Sequence, residues 1–489
     1  MIHNSRFTIH DSGKVHRESC IIHCALFVFL FLSFSSSAQT PPFPAKDSVQ
    51  KFIIKKVELI GNKRTKDHIL FRELTFKPGD TLDEAAIDFA FRRSTENLNN
   101  TLLFNTVSIE KVKDGANALD VYIFVAERWY IFPAPIFELA DRNFNEWWKT
   151  KDFSRVVYGG YLYWNNFRGR NETVVLGLRW GYTQEITISY TIPYINRKQR
   201  DGLSFNYYYN RNHETAYRTF DNTLDFHKED YSFVKHEWSA GVQYSRRQAI
   251  YNTWYVSANE HFVSVSDTIS RLNPDFFLNG RTQELYTQLR FFYKHDQRDN
   301  VNYALVGNYF DFEVVKNGVA AFNDDINFFY LSSQYKKYWK LGGGFYFASG
   351  VKGKISGSDP QPYYNTRGLG YGSDYLRGYE YYVVDGQKFA LLKTDFKYEL
   401  LPVHYFHAGI IPTEKFSEIP YAFYLDLYAD YGYVEDKQYA HYNPLTNSNL
   451  YSFGGGINFT TYYNFVLRAE YSINKFGETG IFIHFNAPI

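Results

Sequence analysis

From about residue 156 to the end, short segments recur in which apolar and polar side chains alternate. In Asn464–Asn474, Phe465, Leu467, Ala469, Tyr471 and Ile473 fall on one side. Asn464, Arg468, Glu470, Ser472 and Asn474 fall on the other. In Tyr421–Tyr433, Phe423, Leu425, Leu427 and Tyr431 oppose Asp426 and Asp430. In Leu285–Asp296, Leu289, Phe291 and Tyr293 oppose Gln288, Arg290, Lys294 and Asp296. A period of two is the period of a strand. Strands of about 9–11 residues with one apolar and one charged face suit a bilayer, with lipid outside and a polar lumen inside. A sheet crosses lipid only if it closes, because an open edge leaves N–H and C=O groups without partners.

Sixteen such segments are expected, starting near Val156, Glu172, Gln184, Gly202, Tyr217, Val234, Tyr251, Gln283, Tyr303, Ile326, Leu341, Lys388, Tyr421, Leu450, Tyr463 and Thr479. An even number closes an antiparallel barrel. With entry from the periplasm, the long links 264–282, 354–387 and 434–449 fall outside, and the short links 181–183, 339–340 and 460–462 fall inside. The link 401–420 is long where a tight turn is expected.

Composition agrees. The 489 residues hold 45 Phe, 44 Tyr and 8 Trp, too much aromatic surface for disorder. After residue 40 there is no run of about 18 apolar residues, which excludes membrane helices there. With 53 Lys+Arg against 52 Asp+Glu, no basic surplus points to nucleic acid. Arg6, Lys14 and Arg17, the apolar run Ile21–Phe34 and the small residues Ser35–Ala38 have the order of a signal peptide over 1–38. Cys20 and Cys24 both lie in it, so the exported chain would carry no disulfide, thiol nucleophile or cysteine metal site. This profile predicts a bacterial outer-membrane protein.

After a linker, 39–51, residues 52–128 read as a small α+β module. Ile53–Ile60 alternates as a strand, Thr65 is expected to cap a short helix over Lys66–Leu74, and Asp83 to about Leu103 has helical spacing with Ala86, Phe89, Ala90 and Leu98 on one side. Thr106–Val112 and Leu119–Glu127 complete the module. Gly61-Asn62, Lys77-Pro78-Gly79-Asp80, Leu103-Phe104-Asn105-Thr106-Val107 and Val125-Ala126-Glu127 together resemble a POTRA domain. That resemblance implies binding of unfolded clients or a periplasmic partner, often by strand addition at a sheet edge. A Trp/Pro-rich connector, 129–155, then leads to a barrel over 156–489.

Leu376-Arg377-Gly378-Tyr379 sits in the longest outer link and resembles the Val/Leu-Arg-Gly-Phe/Tyr motif of the BamA/TamA-type outer-membrane assembly proteins and their two-partner-secretion relatives. Tyr428-Ala429-Asp430-Tyr431-Gly432 resembles the family's aromatic-x-Asp-x-Gly. Asn166–Asn171 resembles its first outer turn, and Asp296-Gln297-Arg298-Asp299 a mid-barrel motif. The resemblance implies that the link folds into the lumen and that Arg377 pairs with acids on the next two strands, matched here by Glu399 and Asp430. Only one POTRA domain precedes the barrel, and the last segment ends Phe485-Asn486-Ala487-Pro488-Ile489 rather than on an aromatic residue.

Catalytic signatures are lacking. There is no His-Glu-x-x-His, Gly353–Gly357 is no nucleophile elbow, and Gly368–Gly372 lacks the strand–loop–helix context of a nucleotide loop. No cofactor or metal is expected, and His404 and His407 read as interfacial. The expectation is therefore a 16-stranded transmembrane antiparallel β-barrel behind one POTRA domain. It would contact membrane lipid and β-rich clients and act as an assembly or translocation factor. The alternatives are a two-partner-secretion export pore and a passive channel. The seam is expected between the first and last segments, weakened by Gly159, Gly160 and Gly480.

Overall fold

The computed structural model describes residues 50–139, 156–319, 324–357, 360–409, 414–461, 465–485 and 489. The expected leader 1–38, nearly all of the linker and residues 140–155 of the expected connector lie outside the described residues. Lys51–Ile489 forms one compact unit.

The N-terminal domain runs β1 (Lys51–Ile60), α1 (Asp67–Phe71), β2 (Thr81–Asp83), α2 (Glu84–Asn100), β3 (Phe104–Lys113) and β4 (Ala118–Glu127). Its sheet has the order β2-β1-β4-β3, with β1 and β4 parallel. Asp83 caps α2 by accepting a hydrogen bond from the Ala86 N–H at 2.8 Å. The buried stripe of α2 is Ile87, Ala90, Ser94, Asn97 and Leu98, while Phe89 faces out. Thr65 does not cap α1. Its hydroxyl donates to Glu127 Oε1 at 2.7 Å, in a buried group that includes Tyr130. Ile54, Ile69, Leu70, Leu98, Val121 and Ile123 form the core.

The second sheet opens with β5 (Ile131–Leu139), β6 (Val156–Phe167), β7 (Glu172–Gly181), β8 (Thr183–Ile192) and β9 (Asp201–Asn212). A separate hairpin follows, of β10 (Glu214–Phe220) and β11 (Thr223–Lys228). The sheet resumes with β12 (Lys235–Arg247), β13 (Asn252–Val265), β14 (Gln283–Asp296), β15 (Gly307–Asn317), β16 (Phe328–Gly342) and β17 (Phe345–Gly357). It ends with β18 (Lys388–His407), β19 (Glu418–Glu435), β20 (Asn449–Thr461), β21 (Val466–Asn474) and β22 (Thr479–His484). These sixteen strands lie in chain order from β5 to β22, antiparallel throughout. The fold is a β-barrel behind a small α+β domain.

Its burial pattern inverts that of a water-soluble protein. On β21, Arg468, Glu470, Ser472 and Asn474 are buried while Ala469 and Tyr471 are exposed. On β19, Asp426 and Asp430 are buried and Leu427 is 65% exposed. Polar side chains line the lumen, and apolar ones face the space that lipid fills.

Two expected elements are corrected. The first strand is β5, inside what reads as the connector. The segment near Tyr217 is the β10–β11 hairpin, outside the sheet. An extra strand at the front reverses the direction of each strand before β10, and losing the Tyr217 segment restores it. The turn 168–171 therefore lies at the end that carries the N-terminal domain: the Lys66 N–H donates to Gly169 O (2.9 Å), and Asn166 Nδ2 to Thr65 Oγ1 (2.8 Å). The turn at 181–183 lies at the far end. In the long 401–420 link, residues 401–407 and 418–420 are strand. β18 and β19 pair as far as His407↔Glu418 and project as a ribbon on which Val403, Tyr405 and Phe406 are exposed.

The two ends of the barrel differ. At the far end, Asn222 in the hairpin turn accepts a hydrogen bond from the Val383 N–H on its backbone O, donates one from Nδ2 to Val383 O, and accepts one from the Leu445 N–H on Oδ1. Beside it, α3 (Asp267–Leu272) contributes Ile269 to an apolar cluster with Val234, Val263, Phe276, Phe277 and Tyr363. At the near end, Arg247 forms a bidentate pair with Glu73 (2.6 and 2.7 Å), and Asn100 binds Arg298 O and the Val301 N–H. The Arg72 guanidinium lies 3.7 Å from the centre of the Tyr194 ring, where burial pushes it down to about 10. A cavity of about 1020 Å³ opens there between the N-terminal domain and the projecting ribbon, lined by Arg64, Asn100, Arg128, Val403, Tyr405 and Tyr421 among others.

Candidate functional site

The link between β17 and β18 folds back inside the barrel. Leu376, Arg377 and Tyr379 are almost fully buried, and Leu369, Leu376, Tyr379 and Val384 form an apolar cluster with Phe389 and Leu391 of β18 and Val434 of β19. Two glycines make the approach possible. Gly378 has φ +83°, and a Cβ there would press on Ser472 (3.3 Å) and Ser452 (3.4 Å). A Cβ on Gly432 would lie 2.9 Å from Leu369 Cδ1 and 3.4 Å from Leu376 Cδ1, so its absence leaves room for the leucines of the loop.

Arg377 reaches the wall where β18 and β19 pair Lys393 with Asp430. Its Nε donates to Asp430 Oδ2 (2.7 Å) and its Nη2 to Asp430 Oδ1 (2.6 Å). Nη1 donates to Asp395 Oδ1 (2.6 Å), and Nη2 also to Thr394 O (3.1 Å). The guanidinium lies 3.8 Å from the centre of the Tyr428 ring. Glu470 Oε1 is 3.6 Å from Nη1 and accepts a 2.6 Å hydrogen bond from Arg468. Arg377, Arg468, Lys393 and Lys397 face Asp395, Asp426, Asp430 and Glu470, so the buried charges cancel. That balance is what makes such a cluster tolerable away from bulk water.

Glu399 is not among the partners of Arg377. It follows Asp395 on β18 by four residues, about 13 Å along the strand. Its backbone N–H binds Gly344 O (2.8 Å), at the near end of the barrel. The alternation of β18 puts Lys393, Asp395, Lys397 and Glu399 on one face. The depth to which the loop inserts selects Asp395. Glu470 and Arg468 were visible as inward residues of the last full repeat, but nothing in their spacing linked them to Arg377.

The other notable region is where the sheet begins and ends. Gly159 and Gly160 do not border the seam. They lie on β6, inside ladders to both β5 and β7, and a Cβ on Gly159 would meet Leu178 O at 2.0 Å. Of the three expected seam glycines only Gly480 is on an end strand. Among the described residues no ladder joins β5 to β22. The Asn165 N–H donates to Tyr130 O (2.7 Å), so Phe132, Ala134 and Ile136 turn their backbone groups toward β6. Ile131, Pro133 and Pro135 turn theirs to the free side. Proline has no N–H, so two successive donors that a ladder to β22 would use are missing. β22 itself has only six residues.

In the inserted loop, Asp385 accepts hydrogen bonds from Tyr371 OH and Thr219 Oγ1, both at 2.5 Å, which ties the loop to the outer hairpin. Burial pushes its carboxyl up to about 6. Among the described residues no group of three or more acidic, histidine or cysteine side chains is arranged to hold a metal ion.

Two family models agree with this architecture. The POTRA family, described as surface antigen variable number repeat, matches residues 52–128. Among solved structures, BamA from Haemophilus ducreyi lacking POTRA domains 1–3 is 14% identical with a TM-score of 0.48, over 89% of this chain and 83% of that one. CdiB from Escherichia coli is 9% identical with a TM-score of 0.48, over 96% of each chain. CdiB from Acinetobacter baumannii is 15% identical with a TM-score of 0.44, over 88% of this chain and 74% of that one. No curated protein sequence matches. The Omp85 superfamily domain matches residues 166–486, and the chain belongs to that superfamily of outer-membrane insertion and secretion proteins.

Proposed function

We propose that this protein inserts or translocates β-rich clients at the outer membrane by parting the β5–β22 seam, with the N-terminal domain in the periplasm delivering clients to it. The observation that carries the reading is the free side of β5, where Pro133 and Pro135 withhold N–H groups from β22. An edge kept from full pairing is a place where an incoming strand can add. The near-end cavity gives a polypeptide room beside that domain, and the knitted loops of the far end argue against a passive channel. No step of this mechanism needs covalent chemistry.

The test is a disulfide scan of 132–136 against 480–484 in a chain carrying Cys20→Ser and Cys24→Ser. A crosslinkable pair that stops outer-membrane β-barrel proteins from accumulating until it is reduced supports the reading. A crosslinked seam with normal accumulation of those proteins rejects lateral opening, and failure of all pairs to crosslink rejects the seam.

A further inference from the structure

The inserted loop does not end its contacts at the Arg377 cluster. Past Gly378 it runs against the last strand. The Tyr375 ring stacks on His484 of β22, with centroids 5.2 Å apart and planes 22° from parallel. Glu380 Oε1 lies 3.3 Å from His484 Nε2, and Glu470 Oε2 on β21 lies 3.6 Å from the same nitrogen. Next to them the Tyr381 and Phe482 rings sit 5.5 Å apart, and Tyr382 OH donates to the Glu478 carboxylate at 3.0 Å.

The needs of these groups fit one another. Neither oxygen of Glu380 has a hydrogen-bond partner, although its side chain is only 14% exposed. His484 is its only ion-pair partner among the described residues. Glu470 has Arg468 at 2.6 Å on Oε1, while its Oε2 accepts no hydrogen bond and faces the imidazole. A carboxyl group this far from solvent needs a polar partner, and His484 Nε2, which has no other hydrogen-bond partner, is the group beside it. The groups around His484 are Glu380 and Tyr375 of the loop and Glu470 and Arg468 of β21. On β22, by contrast, backbone pairing runs on one side only, from Arg468↔His484 to Ile473↔Thr479.

We propose that His484 is a positioning residue. With Glu380 it clips the last strand to the inserted loop, so that the loop governs how freely β22 moves. The clip rests on the seam-opening reading for its purpose but not for its existence, and its test separates the two. Spin labels at Tyr381→Cys and Phe482→Cys report the loop–β22 distance in the full chain, reconstituted in bilayers with Cys20→Ser and Cys24→Ser. A second pair, Tyr381→Cys and Tyr451→Cys, reports the seat of the loop against β20.

In the parent background both pairs should give narrow distributions. His484→Gln and Glu380→Gln should broaden and lengthen the first and leave the second unchanged. His484→Lys, which places a cation beside Glu380, should restore the first. If neither distribution moves, or if both move together, the clip is wrong. If the first responds as stated but outer-membrane proteins accumulate normally in the His484→Gln strain, the clip stands and the assembly reading falls.

Discussion

The wall from β18 to β21 and the wall where β5 approaches β22 belong to one sheet, yet they are held in opposite ways. The first has a loop packed against its inner face. Arg377 there is paired with Asp395 and Asp430, and Gly378 and Gly432 let the loop approach closely. The second has two edges that share no ladder among the described residues, and one edge lacks donors at Pro133 and Pro135. A barrel that must stay closed would spread its stability evenly. Under the proposed mechanism, stability is concentrated on one wall and the parting line lies at another.

The largest effect should come from the packed wall. Arg377→Ala leaves Asp395 and Asp430 buried without their cation, a loss of about 3–5 kcal/mol for a fully enclosed pair. Urea unfolding in detergent should show it, together with new protease cleavage in 360–387. Glu399→Gln should change neither measurement, since Glu399 lies outside the cluster. Equal effects of the two substitutions would erase the distinction between a docked wall and ordinary lumen.

The next effect concerns the weak wall. Pro133→Val with Pro135→Val restores two N–H donors on the free side of β5. Each new ladder bond contributes about 0.5–1.5 kcal/mol, so the barrel should gain thermal stability in the range of about 1–3 kcal/mol. Under the proposed mechanism, client assembly should fall as stability rises. A more stable barrel with unchanged assembly would mean that the prolines merely tolerate an edge rather than keep it open.

A third effect of about 2 kcal/mol is expected between the domains. Glu73 and Arg247 form a largely buried bidentate pair, and hydrogen bonds to charged groups contribute about 1.5–3 kcal/mol. A double-mutant cycle with Glu73→Gln and Arg247→Gln should return that coupling. Hydrogen exchange should rise over 63–75 and leave 388–435 unchanged. Loss of protection in both regions would show that the packed wall depends on the docked domain.

The sequence made the barrel legible because alternation is dictated by lipid on one side and water on the other, residue by residue. The Arg377–Asp430 juxtaposition was legible from the motif. Four things were hidden. β5 contains Pro133 and Pro135, which argue against a strand anywhere but at an edge, and edge position is a property of the whole sheet. The β10–β11 hairpin has the same period of two as a membrane strand, so period alone cannot separate them. Glu399 and Asp395 share a face of β18, and only the loop's depth of insertion chooses between them. The clip at His484 was likewise invisible, because it joins Glu380, Glu470 and His484 through a fold-back that no local pattern encodes.

The smallest effect tests whether the packed wall is anchored from outside. Asp385 joins the inserted loop, where Tyr371 also donates to it, to the outer hairpin through Thr219. Its carboxyl, pushed up to about 6 by burial, binds its proton more tightly in the folded chain than in the unfolded one. The sign follows from that difference. Between the ordinary carboxylate range near 4 and about 6, the folded state holds more protons, so stability falls as pH rises. The contribution is fully present below about pH 4 and lost once pH passes about 6. Protease protection of 360–387 should therefore decline from pH 4.5 to pH 7 and level off. Asp385→Asn, which stays neutral, should flatten that decline while leaving the Arg377 contacts in place. If the decline survives in Asp385→Asn, another group controls the outer attachment. If protection rises with pH instead, Asp385 is ionised when the loop is docked, and the hairpin holds the loop through a charge rather than through a shared proton.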